Sequence, residues 1–259
     1  MGVALIILAA GQGTRMNSDL PKVLHRIAGA PLLHHAMRTG AALDPERTVV
    51  VAGHGADAVT RAATDFSDDI AVVVQHEQKG TGHAVATALP ALTGFTGKIV
   101  VLYGDTPFLT AETLLTLAAS EADVTVLGFR PQDPKRYGRL VTDGADLLRI
   151  VEYKDATEAE RAITLCNSGV LACDADLLAD LVAGLSNDNA AGEYYLTDVI
   201  AAARSKGRSA GYVTCDEAET LGVDTRTQLA AAEAAFQSHA RSLALAEPAG
   251  PTCHTGETS

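Results

Sequence analysis

The stretch VALIILAAGQGTR, residues 3–15, is a continuous apolar run that ends in a glycine-rich turn. An unbroken apolar run of this length is typical of a strand that is buried on both faces of a parallel sheet. The glycines at its end permit a tight turn whose backbone amides can face a phosphate group. This stretch therefore predicts the first strand of an α/β fold, with a ligand bound beyond the carboxyl end of that strand.

Further apolar runs of strand length follow along the first half of the chain, and stretches with helical periodicity separate them. We predict strands at 48–52, 70–74, 99–103 and 123–129, and helices at 31–42, 56–64, 82–89 and 111–120. Alternation at this spacing indicates βαβ units, so the predicted fold is a Rossmann-like, mainly parallel sheet with helices on both faces.

The pattern changes after Arg130, where prolines and glycines interrupt a polar stretch. Residues 139–142 and 147–152 predict a small antiparallel pair, and Thr157 with Glu160 predicts a capping box. Further strands are expected at 168–172 and 210–214, and helices at 175–184, 196–205 and 227–247. We divide the chain into a main domain over 1–225, a C-terminal helix over 226–247 and a disordered tail over 248–259.

Composition excludes several classes of protein. The 259 residues include 20 Lys and Arg against 32 Asp and Glu, a net charge of −12, which disfavours nucleic acids and anionic membranes as partners. The run from Val3 to Ala10 is too short to span a membrane and lacks a basic leader, so we expect a cytoplasmic protein. The four cysteines form no C-x-x-C pair and the histidines no H-E-x-x-H pattern, so we expect no transition metal. Cys166 and Cys173 lie in an apolar stretch and are expected to be buried thiols.

The glycine-rich turn is followed by Arg15 and Lys22, two cations suited to a polyphosphate. A dinucleotide-binding fingerprint would need a third glycine where Met16 stands, and the P-loop pattern is absent. The alternative is a surface turn with solvated cations. Met16 in place of the third glycine also argues that the chain is not a dehydrogenase. Tight binding of NADH would favour the dehydrogenase hypothesis again.

Polar residues also follow the third and fourth strands. Gln75 carries an amide that suits the edge of a pyrimidine base, and Gly80 and Thr81 open a helix whose free amides can bind a ligand. Asp105, after the fourth strand, is placed to bind a magnesium ion that bridges phosphates. The alternatives are a helix cap at Thr81 and another at Asp105. Asp224 precedes the long helix and either caps it or completes the metal site.

The second half offers groups that suit the hydroxyls of a sugar, each a weak signal by itself. They are Gly138, Glu152, Asn167 and Thr197. Turns, caps and solvated faces are the alternative explanation for these four residues.

Together these motifs resemble one family. The sequences LAAGQGTRMNSDLPKVLH, QHEQKGTGHA, LYGDTP, YGRL, VEYKDAT, NSGVL and GEYYLTD occur in the order and spacing of the bacterial N-acetylglucosamine-1-phosphate uridylyltransferases. The chain is most similar to the N-terminal half of the bifunctional enzymes of that family, over about residues 3 to 240. The resemblance implies a GT-A-like nucleotidyltransferase fold with an antiparallel sugar-binding part, and a role in cell-wall and lipopolysaccharide precursor synthesis.

The resemblance also implies roles for individual residues. Those expected to hold the uridine nucleotide are Leu8, Ala9, Ala10, Gly11, Gln75, Gly80, Thr81, Tyr103 and Gly104. Arg15 and Lys22 would bind the triphosphate, and Asp105 would bind Mg²⁺. Gly138, Glu152, Asn167 and Thr197 would bind the N-acetylglucosamine moiety. UTP and N-acetylglucosamine-1-phosphate would then be the substrates.

Two features depart from the family pattern. Asp224 stands where the second metal ligand is usually Asn, which adds a negative charge beside the substrate phosphates. No hexapeptide repeat of a β-helix follows Glu247, so we expect no acetyltransferase activity and, without the β-helix that organises a trimer, a monomer.

Two alternatives stay open at this stage. The chain uses another sugar-1-phosphate, such as that of glucose or N-acetylmuramate, with UTP or dTTP as donor. Otherwise it is a catalytically silent protein that binds a nucleotide sugar.

Overall fold

The computed structural model describes residues 2–134 and 136–246, the last helix partly by its backbone alone. The strands are β1 (Val3–Ala9), β2 (Arg26–Ile27), β3 (Ala30–Pro31), β4 (Arg47–Ala52), β5 (Ile70–Val74), β6 (Lys98–Tyr103), β7 (Val124–Phe129), β8 (Arg139–Asp143), β9 (Asp146–Val151), β10 (Cys166–Asp174) and β11 (Ala210–Cys215). The helices are α1 (Leu32–Ala41), α2 (Ala56–Phe66), α3 (Thr81–Ala88), α4 (Ala111–Ala118), α5 (Glu158–Arg161), α6 (Ala175–Ala183), α7 (Val199–Ser205) and α8 (Arg226–Ala246).

A mixed, mostly parallel sheet forms the centre of the described chain, in the order β11-β7-β10-β6-β1-β4-β5. Strands β6, β1, β4 and β5 are parallel neighbours, as are β7 and β11. The predicted α/β class and mainly parallel sheet are confirmed. The sequence pattern did not predict that β10 runs antiparallel between β6 and β7.

The burial of β1 on both faces of the sheet explains why its sequence is apolar throughout. Leu5, Ile7 and Ala9 pack into the core on one face of the sheet, beside α1, α2 and α4. Ala4, Ile6 and Leu8 pack into the core on the other face, beside α3, α6 and α7. Because successive side chains of a strand point to opposite faces, a strand covered by helices on both sides has no polar position.

The second half builds the antiparallel part. Strands β8 and β9 form the antiparallel pair that the sequence predicted. The pair joins the main sheet through β10, which the sequence did not predict. The predicted capping box is present, with Thr157 Oγ1 accepting from the Glu160 N–H and the Glu160 carboxylate accepting from the Thr157 N–H. The predicted helix at 196–205 is instead a 3₁₀ turn, Leu196–Asp198, followed by α7.

Helix α8 packs its first turns on the β2–β3 hairpin, through a small core that includes Ile27, Leu32 and Ala232. The division into a main domain, this helix and a tail stays a prediction, and residues 248–259 lie outside the described residues. Cys166 and Cys173 are fully buried, as expected. Across residues 2–134 and 136–246, no helix combines the length and apolar character that crossing a membrane requires.

Candidate active site

A cleft of about 330 Å³ opens at the carboxyl ends of β1, β5 and β6. Ten of the residues singled out in the sequence line it: Leu8, Ala9, Ala10, Gly11, Lys22, Gln75, Gly80, Thr81, Tyr103 and Asp105. These strands are parallel, so the segments that follow them meet at one edge of the sheet. The structure thus brings together residues that are up to 97 positions apart in the sequence.

The glycine-rich turn brings Lys22 into this cleft. Gly13 has a left-handed backbone with φ of 61°, and a Cβ added there would lie 2.7 Å from Lys22 Cβ. Only glycine therefore permits both the backbone conformation and the close approach of the lysine. An added Cβ at Gly11 meets nothing within 4 Å, so packing does not dictate glycine at that position.

Four charged side chains form a connected cluster beside the turn. Lys22 Nζ donates to Asp105 Oδ2 and, at 2.8 Å, to Asp224 Oδ1. Arg15 lies 3.0 Å from the other oxygen of Asp224. Burial opposes the charge on Lys22, but Asp105 and Asp224 outweigh it and raise the pKa of the ammonium above its ordinary value.

Asp105 and Asp224 thus converge on one cation although 119 positions separate them; the Val223 N–H also donates to the Asp105 carbonyl at 3.1 Å. Two carboxylates that share a cation are a donor set that suits Mg²⁺, which binds one or two protein carboxylates together with substrate phosphates. The alternative that Asp224 caps α8 is wrong, because Thr225 Oγ1 accepts from the Gln228 N–H. Asp105 likewise contacts Lys22 rather than capping a helix.

Gln75 and the start of α3 form another part of the cleft lining. The Gln75 side chain is buried, and its Nε2 donates to the Gly80 carbonyl at 3.2 Å and to His83 Nδ1 at 2.9 Å. Gly80 has φ of 102°, and a Cβ there would lie 2.7 Å from the Tyr194 carbonyl oxygen. The predicted helix start at Gly80 and Thr81 is confirmed.

Tyr103 closes the cleft toward the second half of the chain. Its ring packs so closely on Gly169 that a Cβ added there would lie 2.6 Å from Tyr103 Cε2. Burial raises the pKa of the Tyr103 hydroxyl, and the charges of Glu152 and Asp105 raise it further. Gly104 does not line the cleft; its N–H donates to the Leu8 carbonyl at 3.0 Å.

The four residues expected to bind a sugar lie close together, outside the cleft lining. Glu152 Oε1 accepts from Thr197 Oγ1 at 3.2 Å, and a Cβ on Gly138 would lie 3.4 Å from the Glu152 carboxylate oxygens. The Asn167 N–H donates to the Gly138 carbonyl at 2.9 Å. Burial raises the pKa of Glu152, as do the nearby carboxylates of Asp198 and Asp155, against the hydrogen bond from Thr197.

The sequence analysis gave no individual role to four residues that line the cleft: Val23, Gln78, Ala84 and Glu193. Gln78 Nε2 donates to the Ala10 carbonyl at 2.9 Å and so links the segment around Gln75 to the segment that leads into the glycine-rich turn. Glu193 lies in the segment GEYYLTD, whose Tyr194 carbonyl accepts from the Gly82 N–H. The predicted residues Arg15 and Asp224 lie beside the cleft rather than in its lining, and Arg15 is two-thirds exposed.

Comparisons with known proteins show which proteins this chain is similar to. The chain is similar to the Bifunctional protein GlmU of Cereibacter sphaeroides, with 65% identity over 245 residues, 94% of this chain and 54% of the relative. The corresponding protein of Roseobacter denitrificans is 60% identical over 98% of this chain and 58% of its own length. That of Dinoroseobacter shibae is 64% identical over 95% of this chain and 55% of its own length.

The chain therefore spans about half the length of the curated relatives it matches. The family model described as the MobA-like NTP transferase domain matches residues 5–244. That range includes the glycine-rich turn, the four-residue charge cluster and the segment around Gln75. The chain belongs to the family of MobA-like NTP transferase domains.

Proposed function

We propose that this chain transfers the uridylyl group of UTP to N-acetylglucosamine-1-phosphate, releases pyrophosphate and forms UDP-N-acetylglucosamine. The observation that carries the proposal is the charge cluster of Arg15, Lys22, Asp105 and Asp224, because two of its members, Lys22 and Asp105, line the same cleft as Gln75. The cluster suits a triphosphate with its metal ion, and the amide suits a pyrimidine. The NTP transferase family and the motif resemblance support the same reaction.

The proposed reaction is a single in-line displacement. An oxygen of the sugar phosphate forms a bond to the α-phosphorus of UTP, and the bond from that phosphorus to the bridging oxygen breaks. The electron pair leaves with pyrophosphate. Both the attacking group and the leaving group are anionic at neutral pH, so the step needs neither a covalent nucleophile nor a general base.

This chain's residues then contribute position and charge. Lys22 and Arg15 bind the phosphates, and the backbone of Leu8, Ala9, Ala10 and Gly11 holds the nucleotide against β1. Asp105 and Asp224 would hold Mg²⁺, which when bound neutralises charge that develops on the phosphates. Glu152, Asn167, Thr197 and Gly138 orient the sugar, whose phosphate approaches past Tyr103.

The direct test is pyrophosphate release from UTP with N-acetylglucosamine-1-phosphate and Mg²⁺, with and without EDTA. Release that requires both the sugar phosphate and the metal is the expected result. Faster pyrophosphate release with glucose-1-phosphate or N-acetylmuramate-1-phosphate, or with dTTP in place of UTP, would change the assigned substrate but leave the assigned type of reaction unchanged. Binding of UDP-N-acetylglucosamine without any turnover would identify a silent binding protein and overturn the proposal.

The metal and phosphate roles are tested by Asp105→Ala and Arg15→Ala. Each variant is expected to lower kcat by at least about 100-fold, the scale of losing one electrostatic stabiliser. Circular dichroism and thermal unfolding check that both variants fold. Activity of Asp105→Ala within a few-fold of the unmodified chain would exclude this carboxylate as the metal ligand.

A further inference from the structure

The orientation of the Gln75 side-chain amide is fixed by its neighbours. The Gly80 carbonyl can only accept a hydrogen bond, so the amide atom 3.2 Å from it must be the NH₂ nitrogen. The same nitrogen lies 2.9 Å from His83 Nδ1, so both of its hydrogens are used. His83 must then accept at Nδ1, which places its own proton on Nε2.

This arrangement leaves the amide oxygen as the polar atom that Gln75 offers to the cleft. No described residue donates to that oxygen, and Gln75 lines the cleft. The ring of Tyr194 lies beside the ring of His83, with 6.4 Å between the two ring centroids. His83 itself does not line the cleft.

We propose that His83 is a positioning residue for base selection, which holds Gln75 so that the site accepts pyrimidines with an N–H at position 3 and rejects cytosine. This inference rests on the proposed function and extends it. Uracil and thymine carry a hydrogen on N3 that can be donated to the Gln75 oxygen. Cytosine has a lone pair on N3, which faces that oxygen with no hydrogen between them.

Removal of the Nδ1 acceptor takes away one of the two hydrogen bonds that fix the amide, so the Gly80 carbonyl alone then opposes rotation of the amide. In the rotated state the NH₂ group faces the base, which suits N3 of cytosine and not N3 of uracil. His83→Leu removes the acceptor with little change in volume. His83→Asn retains an oxygen near the position of Nδ1 and serves as the rescue variant.

The experiment compares kcat/KM for UTP, dTTP and CTP with N-acetylglucosamine-1-phosphate in the unmodified chain and both variants. We expect His83→Leu to lower the ratio of UTP to CTP by about three- to tenfold, the effect of one hydrogen bond. The ratio of UTP to dTTP should not change, because thymine presents the same N–H. His83→Asn should restore most of the discrimination, and His76→Leu, at an exposed histidine nearby, should leave every ratio unchanged.

A merely structural role for His83 would lower kcat/KM for all three nucleotides by the same factor and leave the ratios constant, which would overturn the inference. If the unmodified chain releases no pyrophosphate with any sugar phosphate, the proposed function fails separately. The inference is then decided by calorimetric Kd values for the same nucleotides. Equal Kd values for UTP and CTP in the unmodified chain would overturn it.

Discussion

Gly169 illustrates how a single residue determines the shape of the cleft. Its φ is 93°, and the Tyr103 ring fills the space where a side chain would begin. Gly169→Ala should lower the free energy of unfolding in two ways, through backbone strain and through collision with the Tyr103 ring. We expect the collision to contribute about 1–3 kcal/mol, because overpacking displaces the ring. It should also raise KM for UTP, because Tyr103 lines the cleft.

Gly29→Ala is the matched control for that prediction. Gly29 has φ of 78° and an added Cβ there meets nothing within 4 Å, so this variant reports the backbone strain without the collision. Urea unfolding of both variants separates the two contributions. Equal losses of stability would mean that the Tyr103 ring moves away without cost.

Some residues of the site were predictable from sequence and others were not. Lys22 and Asp105 each follow a motif tied to a strand end, so local sequence places them near one edge of the sheet. The contact of Lys22 with Asp224 joins residues 202 positions apart and depends on how the chain returns from β11. His83 was missed because its contact is to another side chain rather than to the cleft.

At the scale of elements, α8 is hydrogen-bonded to the segment that follows the glycine-rich turn. Arg226, its first residue, donates from Nε to the Met16 carbonyl and from a terminal nitrogen to the Asn17 carbonyl, both at 3.0 Å. Met16 immediately follows Arg15, so these bonds constrain the backbone that carries this cation. We expect Arg226→Met to lower kcat/KM for UTP by about three- to tenfold, with little change in the free energy of unfolding.

Arg241→Met is the control, at an exposed position near the other end of the same helix. It should leave kcat/KM unchanged. Arg226→Lys, which retains the charge but cannot donate from two nitrogens, should fall between Arg226→Met and the unmodified chain. Full activity of Arg226→Met would show that the turn keeps its shape without these two hydrogen bonds.

The sequence predicted the ends of strands β4, β5, β6 and β7 to within one residue, because each is a compact apolar run. The strand at 70–74 was predicted with its observed ends, and the strand predicted at 99–103 begins one residue earlier in the structure, at Lys98. The antiparallel direction of β10 was not predicted, because apolar character shows that a strand is buried but not whether it runs parallel or antiparallel to its neighbours. The β2–β3 hairpin, two residues on each strand, is too short to produce a periodic pattern.

At the scale of the whole molecule, the site does not attract phosphates by its own net charge. Lys22 and Arg15 are matched by Asp105 and Asp224, so the four residues of the cluster sum to zero within a chain of net charge −12. A triphosphate is therefore attracted only weakly until a divalent cation adds positive charge. We therefore predict that UTP binds poorly in EDTA and that Mg²⁺ strengthens the binding.

A double variant, Asp105→Asn with Asp224→Asn, reverses that balance. Both amides still accept a hydrogen bond from Lys22, but the cluster then carries two uncompensated positive charges. We expect Kd for UTP in EDTA to fall by about tenfold, as Coulomb attraction at these distances implies, and the gain to shrink at high salt. Turnover with Mg²⁺ should nevertheless be lost, because the carboxylates that would hold the metal are gone.

Asp68→Asn with Asp69→Asn removes the same charge from the exposed turn before β5, at the opposite end of that strand from the cleft. Titration calorimetry in EDTA at two salt concentrations compares both double variants with the unmodified chain. Tighter UTP binding confined to the cluster variant would mean that the local arrangement of charge controls affinity. An equal gain in both variants would assign the effect to the net charge of −12 and contradict the argument from the cluster.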